Sequence, residues 1–386
     1  MNLDALRFPR CELPTNLEPL RSEVRAFLAA ELKGYSPLVR SNSWDGIDPE
    51  FSRKLGAHGW LGMTLPTAYG GQGRTALERY VVVEEVLAAG APVGFHWVAD
   101  RQSGPMIARL GTEDQKRTIL PAIARGEACF CIGMSEPNAG SDLASVRSRA
   151  VRTSDGWVLN GTKIWTSNAH RANYMIALFR TDSATDSKHG GLSQFLIDMG
   201  AAKGITPRPI RDLTGRSNFN EVSFVDAWLP SDAILGNEGD GWKQVTAELA
   251  FERSGPERYL SCFILLTQLV EMLTARASPA ALAKLGAEIA WTVTLRNMSL
   301  SVAGMLNAGL DPSLQASVVK DLGCHFEQRL PGLAQELIAL EPTLADSGLD
   351  FQQVLGNLVQ LAPSFSLRGG TLEILRGIIA RGLGVR

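Results

Sequence analysis

The sequence predicts an α+β chain: a helical segment, an antiparallel β unit and a second helical segment follow one another along 386 residues. Three observations predict it. In the first third, apolar residues recur at spacings of three and four, the period of a helix with one buried face. From Cys129 to about Asp226 the chain turns to short runs rich in Val, Ile, Thr, Phe and Trp, separated by turn residues. After "LGNEGDGW" the helical spacing returns and holds to the C-terminus. The expected divisions are residues 1–125, 126–236 and 237–386. The two helical parts should pack together with the β unit beside them, because the outer segments are alike and the middle one differs.

Taken in order, Leu17, Leu20, Val24, Phe27 and Leu28 lie on one face of a helix over 17–32. A second helix fits "ALERYVVVEEVLAA" (76–89), and a third begins at Thr112, which has capping-box spacing to Gln115. Punctuated loops such as "LPTAYGGQG" separate them. The β runs are "ACFCIGM", "GWVLNGTKIWTS", "NYMIALFR", "SQFLIDM" and "NEVSFVDAWLP".

Composition narrows the function. A net charge of −2, from 38 Lys and Arg against 40 Asp and Glu, supplies no global field for nucleic acid or an anionic membrane. Apolar runs such as "YVVV" and "CFILL" fall far short of the ~20 residues that span a bilayer. The start "MNLDALRFPRCELP" lacks the charged and apolar regions of a secretory signal, and the five cysteines are scattered, so a reducing cytoplasm is expected. Cys129 with Cys131, and Cys324 with His325, complete no metal-ligand spacing. His58, His96, His170, His189 and His325 are isolated and read as structural or surface residues.

Three stretches can carry chemistry. "IGMSEPNAGSD" (132–142) gathers Ser135, Pro137, Gly140 and Ser141 in one loop after a strand, which is either a tight surface turn or a cradle for a polar cofactor edge. In "NGTKIWTSNAH" (160–170), Lys163, Trp165 and Ser167 share a face if the strand stays regular. The Trp is then a core residue or a cover for a flat ring. In "AELAFERSGPER" (247–258), Trp242, Val245, Leu249 and Glu252 continue one stripe, so Glu252 should be at least partly buried. It is either a salt-bridged helix carboxylate or an acid whose raised pKa suits proton abstraction.

"AYGGQG", "GMSEPNAGSDLAS", "NGTKIWTSNAH", "NEGDGW", "ELAFER" and "RGGTLEILRGIIARGLG", in this order, resemble the FAD-dependent acyl-CoA dehydrogenase family. The resemblance runs from about residue 20 to the end, thinly between 262 and 355. It implies an N-terminal helical domain, a middle β domain and a C-terminal four-helix bundle, with flavin between the last two. It assigns flavin or acyl-CoA contacts to Ile132, Met134, Ser135, Gly140 and Ser141, and the cover and edge bond of the flavin ring to Trp165 and Ser167. Gly370, Thr371 and Glu373 match further FAD contacts at the last helix, where a helix N-terminus suits an electron-rich group. Ser141 and Arg253 are implied at the substrate.

The family reaction removes a C2 proton from an acyl thioester with a glutamate and passes a C3 hydride to flavin, leaving the trans-2,3-enoyl-CoA. Most members carry that glutamate just before the "GT" of the last motif, where this chain has Gly369. A minority carry it directly before the arginine of the bundle helix, which is Glu252 here. The Gly369 amide still implies a hold on the thioester carbonyl, by the logic of an oxyanion hole. The family's "R-x-x-F-G" and "Q-x-x-G-G" elements, which reach flavin from a neighbouring subunit, are not evident between 262 and 362. The tail instead resembles a bacterial branch of unlike-subunit heteromers that act on bulky, carboxylated or sterol side-chain acyl-CoAs. The partners implied are therefore an acyl-CoA, an electron-transfer flavoprotein or similar acceptor, and either identical copies or a related subunit in a heterotetramer. A non-catalytic partner subunit is the alternative reading.

Overall fold

The computed structural model describes residues 2–182, 187–252, 255–273, 277–346 and 348–385, without the side chains of Leu3 and of residues 248–252. The chain forms two compact units, one of Met1–Ile47, Arg74–Val93 and Ala250–Arg386, the other of Asp48–Gly73 and Gly94–Leu249.

The helices are α1 (Glu18–Glu31), α2 (Pro37–Arg40), α3 (Pro49–Ala57), α4 (Ala76–Ala88), α5 (Gly104–Leu110), α6 (Glu113–Ala124), α7 (Gly241–Glu252), α8 (Phe263–Leu273), α9 (Pro279–Asn307), α10 (Ser313–Leu337), α11 (Asp350–Leu361) and α12 (Leu372–Gly382). The strands are β1 (Phe130–Gly133), β2 (Arg149–Arg152), β3 (Gly156–Lys163), β4 (Tyr174–Arg180), β5 (Leu192–Asp198), β6 (Ile205–Ile210) and β7 (Phe219–Pro230). The three helices read from periodicity coincide with α1, α4 and α6. Thr112 and Gln115 form the capping box: Gln115 N–H reaches the Thr112 hydroxyl at 3.2 Å, and Thr112 N–H reaches the Gln115 side chain at 3.0 Å. No described helix is long and apolar enough to cross a membrane.

In the unit that holds the sheet, the strand order is β1-β4-β2-β3-β7-β6, with β5 paired to β4. The expected antiparallel sheet is corrected to a mixed one, because β1 and β2 both run parallel to β4 while the remaining pairs are antiparallel. Parallel neighbours need a long connection, and β1 and β4 are joined through β2 and β3. Alternation along a strand reports which face is buried, not which way its neighbour runs. β2 ("RAVR") and β6 ("ITPRPI") carry too little apolar alternation to announce themselves. β6 pairs only with β7, and an edge tolerates Pro207 and Pro209. The core stacks Trp157 on Phe195 and Phe179 on Phe224, ring centroids 5.1 Å apart in each pair, edge to face. Each fully buried aromatic contributes roughly 1.5–3 kcal/mol.

In the other unit, α4 packs against α9 and α2 against α11, while α1 packs against α4. Helices α3, α5 and α6 instead belong to the unit with the sheet. A buried ion network ties α1 and α4 to α9. Arg21 Nη1 lies 3.1 Å from Glu84, and Arg296 grips the same carboxylate at 2.6 and 3.0 Å. Removing one partner of such a network leaves a buried charge uncompensated, which is why it holds the helices in one register.

Candidate active site

The chain leaves β1 into the loop singled out by sequence. Glu136 and Ala139 exchange backbone hydrogen bonds of 2.9 and 3.0 Å, so Pro137 and Asn138 sit at the tip of a tight turn. The turn is also anchored. The buried Glu136 carboxylate accepts the amides of Arg147 and Ser148 at 2.7 and 2.8 Å and the ammonium of Lys163 at 2.9 Å. Lys163 donates a second bond to the Met134 carbonyl at 3.1 Å, and Ile164 N–H donates to the Ser135 carbonyl at 2.9 Å.

This clamp brings together the two predicted stretches, 132–142 and 160–170. Burial pulls the Lys163 ammonium down to about 8 even though Glu136 favours its charge. Burial acts to raise the Glu136 carboxyl, but Lys163 and the Arg147 amide outweigh it and leave it below the usual carboxylate range.

The regular strand expected through Lys163, Trp165 and Ser167 is corrected. β3 ends at Lys163, and Trp165 and Asn168 take positive φ of 59° and 58°. Tertiary bonds impose this turn. Thr166 N–H donates to the Asn220 carbonyl at 3.1 Å, the Asn220 side-chain amide returns a bond to the Thr166 carbonyl at 3.0 Å, and His170 Nδ1 meets Asn220 Oδ1 at 2.8 Å. The core placement of Trp165 is corrected too. It is 58% exposed, resting edge-on against Phe219. A large flat side chain is thus held open in a strained turn beside Ser135, a surface on which a flat ring can lie.

Along that loop Ile132, Met134, Ser135 and Ser167 are half-buried, and Gly140 and Ser141 are exposed. A Cβ at Gly140 would meet no protein atom within 4 Å.

In the helical unit, Gly369 and Gly370 take positive φ of 68° and 94°, and Thr371, extended at φ −68° and ψ 162°, stands at the N-cap position of α12. Two successive left-handed residues turn the chain into the helix, a path that only glycine follows without strain. Glu373 is exposed in the first turn of α12, where its own amide and the Thr371 hydroxyl hold its carboxyl below the usual carboxylate range. Glu252 is the last residue of α7; its side chain lies outside the described set, as does all of Arg253. Of the predicted stripe, Trp242 and Val245 pack against Leu192, Leu178 and Val146.

The histidines serve structure. His96 shares a 2.8 Å bond with Ser52, His58 stacks on Trp60, and His325 meets Arg376 at 2.7 Å. No cluster of metal-ligating side chains occurs among the described residues. Sequence reasoning passed over Glu136, although it lies inside the quoted loop, and Arg368, Glu327 and Lys320 beside the double glycine. Lys320, directly after two valines, was the one with a local signal; Glu136, Glu327 and Arg368 stand among polar or turn residues and carried none.

Residues 15–127 match the family model described as acyl-CoA dehydrogenase, N-terminal domain, and residues 131–227 match acyl-CoA dehydrogenase, middle domain. The chain is 34% identical to the acyl-CoA dehydrogenase IpdE1 of Mycobacterium tuberculosis, over 95% of this chain and 96% of that protein. It is 30% identical to the acyl-CoA dehydrogenase FadE26 of the same organism, over 94% and 95%. Its fold is similar to the Tcur3481-Tcur3483 steroid ACAD (TM-score 0.86, 29% identity, 97% and 98% of the two chains). The ChsE4-ChsE5 complex from Mycobacterium tuberculosis is similar at a TM-score of 0.84, with 28% identity and 98% and 99% covered.

Proposed function

The chain belongs to the acyl-CoA dehydrogenase family, and on that premise we propose that it oxidises a bulky, sterol-type acyl-CoA to the trans-2,3-enoyl-CoA, with Glu252 as the base. Gly369 carries the reading: where most members place the base, this chain has a left-handed glycine without a side chain, so the carboxylate must come from elsewhere. Glu252 ends α7, the position used by a minority of the family. Its carboxylate takes the C2 proton, while the Gly369 N–H holds the thioester oxygen as negative charge gathers there. Bound FAD supplies the acceptor for the C3 hydride, so the acyl chain is oxidised and the flavin reduced.

Ile132, Met134, Ser135, Gly140, Ser141, Gly370, Thr371 and Glu373 hold the cofactor in this reading, Trp165 covers the ring and Ser167 bonds its edge; Ser141 and Arg253 serve the substrate. The similar steroid ACAD supports a sterol-type acyl group. Five free thiols suit a cytoplasmic setting.

Anaerobic addition of acyl-CoAs, from short to steroid-like, tests this. The matching thioester bleaches the flavin, and Glu252→Gln keeps the flavin but stays yellow. Bleaching at an unchanged rate in that variant would remove Glu252 from the role.

A second reading, a non-catalytic partner subunit, draws on the similar ChsE4-ChsE5 complex, whose name records two unlike chains. A protein that is colourless alone and yellow only beside a co-expressed relative favours it. A yellow, reducible assembly of identical chains argues against it.

A further inference from the structure

One face of α10 holds two segments that adjoin the proposed chemistry. Lys320, Cys324, Glu327 and Gln328 recur at helical spacing along that face. Lys320 Nζ donates to the Gly370 carbonyl at 2.6 Å, Cys324 Sγ lies 3.2 Å from the Phe365 carbonyl, and Gln328 reaches the Ala362 carbonyl at 3.2 Å. The chain entering the double glycine is therefore laid along α10 by its carbonyls.

The same helix holds the segment that follows α7. The Ser261 amide donates to Glu327 Oε1 at 2.7 Å, and Cys262 Sγ lies 3.4 Å from the Glu327 carbonyl. Gly323 permits that approach: a Cβ there would sit 2.0 Å from the Arg258 carbonyl oxygen.

Glu327 belongs to both sets. Its Oε2 lies 3.3 Å from Arg368 Nη2, and that same nitrogen donates to the Ser261 hydroxyl at 2.7 Å. Arg368 is further fixed over Trp44 and Phe365, at 4.2 and 4.3 Å from the ring centres. Glu327 is 1% exposed, so its carboxylate answers to these neighbours rather than to water.

We infer that Glu327 is a positioning residue that locks the segment after the proposed base Glu252 to the turn bearing the Gly369 amide. One carboxylate thereby joins the segment that follows α7 to the turn that carries Gly369. A carboxylate suits the task because its two oxygens accept from two segments at once, whereas an apolar residue would leave the Ser261 amide without an acceptor and the buried Arg368 without a counter-charge. This inference rests on the dehydrogenase reading for its catalytic meaning and on the coordinates alone for the mechanical tie.

The test separates the two. Hydrogen exchange on the intact protein compares wild type with Glu327→Gln and, as a control, Glu288→Gln, whose carboxylate on α9 instead accepts from Arg329 of α10. Faster exchange is expected in both 259–262 and 367–372 for Glu327→Gln and in neither for the control. In the flavin-loaded protein, the rate of flavin reduction at saturating acyl-CoA falls ~10-fold or more while KM changes less than ~3-fold.

Faster exchange in one segment only, or an undiminished rate, overturns the inference. Where Glu327→Gln does not fold, Ser261→Ala and Arg368→Lys carry the same readouts with smaller losses. If no acyl-CoA reduces the wild type, the dehydrogenase reading fails while the exchange result still decides the tie.

Discussion

Lys163 Nζ lies 2.9 Å from Glu136 Oε1, and neither residue is more than 9% exposed. The pair fastens the end of β3 to the loop after β1, and so places the Trp165 turn beside Ser135. Stability and the proposed cofactor site meet in one ion pair.

Glu136→Ala leaves the Lys163 ammonium and two backbone amides buried without their acceptor. Loss of one partner from such a pair costs about 3–5 kcal/mol, which urea or thermal unfolding measures. A variant within experimental error of wild type would show that the loop is held by other bonds.

The pH dependence follows from the same groups. Glu136 is more acidic folded than its ordinary 4.5, so its contribution is present above that value and is lost as pH falls through the folded one. Glu136→Gln should flatten the acid side of the stability curve. Lys163 titrates near 8 folded against 10.5 unfolded, so its term raises stability as pH climbs between those values. Unfolding free energies of Lys163→Met across pH 7–10, set against wild type, check that slope.

Trp165 is mostly solvent-exposed, so Trp165→Ala should shift stability by less than about 0.5 kcal/mol. If the indole covers a flavin ring, the same variant loses bound flavin on dilution or gel filtration. Full flavin retention would take Trp165 out of the cofactor site.

Gly369→Ala and Gly370→Ala force an L side chain into positive φ, costing about 1–3 kcal/mol each. With the Gly369 amide at the thioester oxygen, Gly369→Ala also slows flavin reduction more than its stability loss explains. Equal loss of rate in both glycine variants would indicate a general disturbance of the α12 cap.

Gly323→Ala drives a methyl into the Arg258 carbonyl 2.0 Å away, and the strain should cost about 1–3 kcal/mol. Gly332→Ala, on the opposite face of the same helix with open space around it, should instead stabilise by about 0.5–1 kcal/mol in thermal unfolding and so isolates the clash.

Local order was legible in the sequence. Helices α1, α4 and α6 follow from apolar spacing and the Thr112 cap, five of the seven strands among the described residues from apolar β-forming runs, and the family from motifs whose chemistry acts over neighbouring residues. What the fold alone decided joins residues far apart in the chain: Glu136 to Lys163, 27 positions on; Glu327 to Arg368, 41 on; Ser261 to Glu327, 66 on. The parallel setting of β1 and β2 on β4, and the exposed left-handed turn at Trp165, belong to the same class. A period in the sequence reports which face of an element is wetted, because that depends on adjacent residues. Which carboxylate meets which amide depends on chain closure and on burial that makes an unmet charge costly, and those act only once the elements have packed.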